Sequence, residues 1–134
     1  MNATDNKTAH NSKEYDNNIY KTIPYYKLFY KEIIDLVKTY NKECELWLDT
    51  GCGTGNFIEI ASNVFKNTKF ILSDSNENMI NIAKNKLMYL SPRIEFLTGC
   101  PSENLKNTIN KHVDVITAIQ VHHYLKQLKI VMKY

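Results

Sequence analysis

Leu46-Trp47-Leu48-Asp49-Thr50-Gly51-Cys52-Gly53-Thr54-Gly55-Asn56-Phe57 is the stretch that decides how the rest of the chain is read. An apolar run with the composition of a buried strand passes through an acid into three alternate glycines, and an apolar-periodic run follows. Glycines at such a corner let the backbone take positive φ and let a ligand approach where a Cβ would block it. The first amides of the next helix are left without intrahelical partners. Together these features predict a nucleotide-type pocket at the carboxyl end of a parallel strand. A dinucleotide fingerprint, G-x-G-x-x-G, needs its third glycine at position 56, where this chain has Asn56, with Gly55 one residue early. Asp49 would repel a pyrophosphate and suits a ligand that carries an ammonium or a sulfonium. A plain strand-to-helix corner accounts for a lone glycine turn but not for the acid before it or for a second acid after the next strand.

Outward from this corner the pattern alternates. Strands are expected over 46–49, 69–73, 94–98 and 113–119, with helices over about 55–65, 77–88 and 103–110 and a last helical piece from about 123. Strands as solidly apolar as Phe70-Ile71-Leu72, and as Val113 to Ile119, argue for a parallel α/β sheet covered by helices on both faces. Upstream, Tyr25, Phe29, Ile33, Leu36, Val37 and Tyr40 form the apolar stripe of an amphipathic helix, and Pro24 suits its first turn. Residues 1–14, rich in Asn, Thr, Lys and Ser, have no periodic apolar residue and are expected to be a disordered tail ahead of one domain over 15–134.

The chain has 134 residues, 43% hydrophobic and 23% charged, which fits a single soluble domain with a modest core. Its net charge of +3 comes almost wholly from lysine, with Arg93 the only arginine, so nucleic acid is not expected as a partner. Cys44, Cys52 and Cys100 have neither C-x-x-C spacing nor a disulfide framework, which suits a reducing cytoplasm; no metal site is expected. No apolar run approaches the length of a membrane span, and no membrane association is expected.

The second expected strand ends at Asp74, close to the ~20 residues past the first glycine that set an acid against a ribose diol. A carboxylate that accepts two hydroxyl hydrogens is a strong, geometry-fixed contact. Ser75, Asn76 and Glu77 are available to cap the next helix, which would leave Asp74 free to face a ligand.

Asp49-Thr50-Gly51-Cys52-Gly53-Thr54-Gly55 resembles the first motif, D/E-x-G-x-G-x-G, of the class I S-adenosylmethionine-dependent methyltransferases, and the resemblance extends over roughly 15–134. It implies a Rossmann-like parallel sheet flanked by helices, of which this chain holds the first four of seven strands. It implies S-adenosyl-L-methionine as cofactor, with Asp49, Gly51, Cys52, Gly53 and Gly55 in the cofactor turn and Asp74 on the ribose. The run Asp74-Ser75-Asn76-Glu77-Asn78-Met79 resembles the family's D-x-S-x-x-M, which places Ser75 and Met79 at the cofactor, although Met79 equally suits the core. After the third strand the family's adenine-binding acid is absent from Gly99-Cys100-Pro101-Ser102-Glu103-Asn104-Leu105, so adenine contacts fall to backbone around Cys100 and Ser102. Ile119-Gln120-Val121-His122-His123-Tyr124-Leu125 resembles the segment beside the transferred methyl group, with Gln120 at the cofactor and His122 a candidate general base. The family's N-terminal segment lies over the pocket as a lid, which would bring Tyr15 and Tyr20 near the site.

The sequence reaches Tyr134 just after the fourth expected strand, so a C-terminally truncated sheet is expected, with 113–119 as a seven-residue apolar edge. Such an edge is a template for homo-oligomers or aggregation. The expected function is methyl transfer to a small-molecule acceptor. A nucleotide-dependent oxidoreductase and a non-catalytic cofactor-binding or dimerising fragment are the alternatives.

Overall fold

β1 (Leu46–Thr50) is the hub of the fold, and the alternation of its side chains sets the two faces of the sheet. A computed structural model of the chain describes residues 26–119. Within them β1, β2 (Lys69–Asp74), β3 (Ile94–Thr98) and β4 (Val115–Thr117) run parallel in the order β3-β2-β1-β4. The helices are α1 (Tyr26–Asn41), α2 (Asn56–Val64), α3 (Glu77–Lys86) and a single turn, α4 (Leu105–Thr108). The order reverses at β1, since β2 and β3 are added on one side and β4 on the other. This is a topological switch point, where open α/β sheets bind ligands.

Trp47 faces the larger core. Its ring, wholly buried, lies 5.2 Å from Phe65, 5.8 Å from Phe57 and 5.9 Å from Phe70. Tyr30 and Ile34 of α1 and Ile80 of α3 join the same cluster. Leu48 and Ile71 point the other way, onto Leu105 of α4. Arg93, the only arginine, donates to the carbonyls of Phe65 and Thr68 and sits 5.7 Å from the Phe70 ring centroid. It therefore ties the chain between α2 and β2 to the strand entry of β3.

Two expectations are corrected here. The buried face of α1 is Tyr30 and Ile34, flanked by Ile33 and Val37, whereas Phe29, Leu36 and Tyr40 are 52%, 58% and 81% exposed. The helix is rolled by about one residue from the stripe read in the sequence because the Tyr30 ring packs 5.2 Å from Phe57. The fourth strand is also shorter than 113–119. Asp114 turns its carboxylate onto the amides of Glu45 and Leu46, at 2.8 and 2.9 Å, and so caps the start of β1. Beyond Thr117 the chain leaves the ladder, and Ile119 lies in a turn. The last helical piece expected from about 123 lies outside the described residues.

Candidate functional site

The glycine corner is pinned to the end of β2. Cys52 N donates to Ser73 O at 2.9 Å, and Gly53 N donates to Asp74 Oδ2 at 2.9 Å. Gly51 and Gly53 have φ of 63° and 57°, left-handed values that a side chain would make costly. α2 then starts at Gly55, which offers no side-chain cap, and its positive dipole end faces the glycine corner. At the carboxyl ends of β1 and β4 a small, open cleft lies at the switch point. Tyr30 of α1 lies on one side, Asp49, Gly51 and Cys52 form the base, Asn56 and Phe57 come from α2, and Ile119 follows β4.

Asp49 is 3% exposed, and burial raises its carboxyl from an ordinary 3.8 to about 7, against the opposing effect of the Thr117 hydroxyl. The neighbouring Asp74 carboxylate raises it further. Among the described residues no lysine or arginine pairs with Asp49. Asp74 is likewise raised by burial, although the amides of Asn76, Gly53 and Ser75 favour its charged form. Burial and both carboxylates push the Cys52 thiol well above its ordinary range. Two desolvated acids beside one glycine turn form a site in which positive charge would be stabilised.

The sequence candidates do not all line the cleft. Asp49, Gly51 and Cys52 line the cleft, and Gly53 is held beside it by Asp74. Asp74 is not free, contrary to the sequence reading. Asn76 does take the cap of α3, accepting from the amides of Asn78 and Met79. Yet the Asp74 carboxylate is itself engaged by Gly53 and Asn76 amides, because the chain turns tightly at the end of β2. Gly55 has a packing role: with φ 86°, its absent Cβ would stand 2.8 Å from Leu87 Cδ1 and 3.4 Å from Ala83 Cβ. Met79 is buried in α3, and Ser75 lies half-buried before it. Cys100 packs at the edge of the smaller core, with Ser102 buried two residues on. A Cβ on Gly99 would come 3.5 Å from Glu77 Oε1, so α3 brings a carboxylate to the loop after β3, where the expected acid is missing. Gln120, His122, Tyr15 and Tyr20 lie outside the described residues.

Sequence reasoning missed Thr117, Tyr30 and Asn56. Thr117 stands opposite Asp49 in the β1–β4 ladder and bonds to it at 2.6 Å; only the pairing of β4 with β1 reveals this. Asn56 was read as the residue that breaks a dinucleotide fingerprint, and it lines the cleft with Lys86 Nζ as its donor.

Residues 48–134 match the model of a methyltransferase domain, a span that starts in β1 and contains the glycine corner. The chain belongs to this methyltransferase domain family. Over 85 residues it is 28% identical to a carboxy-S-adenosyl-L-methionine synthase of Nautilia profundicola, covering 63% of this chain and 36% of that relative. Among solved structures, Streptomyces venezuelae DesVI superposes with a TM-score of 0.70 at 19% identity, over 92% of this chain and 49% of that one. CalS10 of Micromonospora echinaspora, an amino pentose methyltransferase solved with its cofactor bound, superposes with a TM-score of 0.68 at 14% identity and the same coverage, 92% and 49%. These likenesses show the Rossmann-like methyltransferase fold. The methyltransferase domain described here thus spans about half the length of these solved neighbours. No helix among its described residues is long and apolar enough to cross a membrane.

Proposed function

We propose that this methyltransferase domain binds S-adenosyl-L-methionine in the cleft between β1 and β4 and serves methyl transfer to a small-molecule acceptor. The observation that carries the reading is Asp49: a buried carboxylate in the cleft, beside a positive-φ glycine turn and with no paired cation among the described residues. A ligand with ammonium and sulfonium charges supplies what the site lacks, whereas a pyrophosphate would add like charge to two desolvated acids. The donor set fits that cofactor. In this reading Gly51 and Cys52 give a backbone cradle, the N-terminal end of α2 faces the cofactor's carboxylate, and Asp74 with Ser75 serves the ribose through lone pairs that the Gly53 and Asn76 amides leave over. In this reading Met79, Cys100 and Ser102 lie toward the base end, and Glu77, whose carboxylate reaches Gly99, supplies the acid there. Bound there, the cofactor supplies an activated methyl group, so the chain contributes alignment and exclusion of water. Gln120 and His122 follow Ile119 of the cleft wall, and in this reading His122 is the general base for an oxygen or carbon acid.

A small acceptor is favoured over nucleic acid because Arg93 is consumed in structural contacts. Three free thiols, two of them buried, suit a cytoplasmic setting. Titration calorimetry with S-adenosylmethionine, S-adenosylhomocysteine and NAD tests the proposal. The first two should bind and NAD should not. Asp74→Ala should weaken cofactor binding by about 1.5–3 kcal/mol, roughly tenfold or more. Binding of NAD alone, or equal affinity in the variant, would overturn it.

A further inference from the structure

We infer that Thr117 is a positioning residue for the cofactor cleft: its hydroxyl, held from behind by the Trp47 indole, aims its single hydrogen at Asp49 and keeps that carboxylate turned toward a cationic ligand. The inference rests on the reading of the cleft as the cofactor site and assigns a role to a residue on the far strand.

Three side chains form the relay. Trp47 and Asp49, two residues apart on β1, share a face of the sheet, and Thr117 lies opposite Asp49 across the β1–β4 ladder. Trp47 Nε1 donates to Thr117 Oγ1 at 3.0 Å, and Thr117 Oγ1 donates to Asp49 Oδ1 at 2.6 Å. An indole N–H only donates, so Thr117 must accept there, and its one hydroxyl hydrogen is left for the carboxylate. Thr117 is itself anchored, because Thr50 Oγ1 donates to its carbonyl at 3.2 Å. The relay is dry: Trp47 is 0% exposed, Asp49 3% and Thr117 8%. At such a site a short hydrogen bond to a carboxylate is stronger than in water.

The groups that face Asp49 are few. Asp74 comes from the end of β2 and the Cys52 thiol from the glycine corner, and both oppose its ionisation or share its burial. The Tyr30 phenol of α1 lines the same cleft. The Lys86 ammonium of α3 is directed to Asn56 and Thr54, which also line the cleft. Thr117 is therefore the group on the cleft's own strands that favours the charged carboxylate before any ligand arrives. A cationic ligand completes what Thr117 begins, and a neutral one leaves the carboxylate to recover its proton.

Trp47 is the only tryptophan, which makes the relay observable without cofactor. In the full 134-residue chain, the ¹H–¹⁵N resonance of the indole should titrate with a midpoint near pH 7, the value expected for Asp49. Asp49→Asn should abolish that titration, Thr117→Val should strip most of its amplitude, and Thr117→Ser, which keeps the hydroxyl, should retain it. With S-adenosylmethionine, the midpoint of the affinity-versus-pH curve should rise by about one pH unit in Thr117→Val and return in Thr117→Ser. An indole titration that persists in Asp49→Asn, or that is unchanged in Thr117→Val, overturns the inference. Should Thr117→Val fail to fold, the Asp49→Asn and Thr117→Ser results decide alone. The cofactor-free titration probes the relay and calorimetry probes the ligand, so failure of one is distinguishable from failure of the other.

Discussion

Replacing Asp49 with asparagine should stabilise the free domain above neutral pH, because the native carboxylate is ionised there while buried, at the expense of the fold. Burial moves the Asp49 carboxyl from 3.8 to about 7, so the folded chain holds this proton more tightly than the unfolded chain does. Stability therefore falls as pH rises from about 4 to 7 and levels off above that. Roughly three pH units at 1.36 kcal/mol each give a loss of about 4 kcal/mol. A domain of this size has about 5–15 kcal/mol in total, so the effect is large. Asparagine has the same shape, can accept the Thr117 hydroxyl and carries no charge, so the variant should lack this term. Asp74 is raised in both proteins and contributes with the same sign, which makes the difference between the two curves the diagnostic quantity. Urea unfolding at pH 5 and pH 8 measures it. That interval spans about two of the three units, so the native chain should lose about 3 kcal/mol more than Asp49→Asn across it. Parallel curves would refute both the desolvation argument and the view that the cleft is built for a cation. Saturating S-adenosylmethionine should shrink the difference, since a cationic ligand restores the charged form.

Gly55→Ala should destabilise the domain by about 2–5 kcal/mol, combining left-handed backbone strain with the overpacking of a Cβ against Leu87 Cδ1. Thermal unfolding measures it, and Leu87→Val in the same chain should recover part of the loss, so that strictly additive effects would exclude the contact. Iodoacetamide should label Cys100 well before Cys44 or Cys52, because Cys100 is partly exposed whereas the other two are buried, with thiols raised by desolvation. Timed peptide mass spectrometry reads the order.

What the sequence displays openly is local. The strand, the acid and the alternate glycines stand within one short run, so the corner and the β1–α2 unit follow from composition and spacing. The Asn76 cap of α3 is equally local. What it conceals depends on pairing at long range. A tyrosine-rich helix such as α1 offers two apolar stripes one residue apart, and the Phe57 ring of another helix chooses between them. β4 reads as a seven-residue, mostly apolar strand, yet Asp114 is drawn to the amides at the start of β1 and shortens it. Gly55 and Gly53 are indistinguishable as letters, and they differ because α3 returns behind one while β2 ends beside the other. Thr117 becomes part of the site only through a partner 68 positions away.

That separation has a thermal consequence. The bond that anchors the glycine corner, Gly53 to Asp74, closes 21 positions, and β1 and β2 are in register over five pairs from Leu46↔Lys69 to Thr50↔Ser73. The bond that closes the opposite wall, Thr117 to Asp49, spans 68 positions and is backed by three pairs. Loop closure alone separates the two by about 1 kcal/mol. On warming, the β4 wall should therefore part from β1 while the corner keeps its shape, so the cleft opens on one hinge side and the glycine turn is the last of its walls to melt.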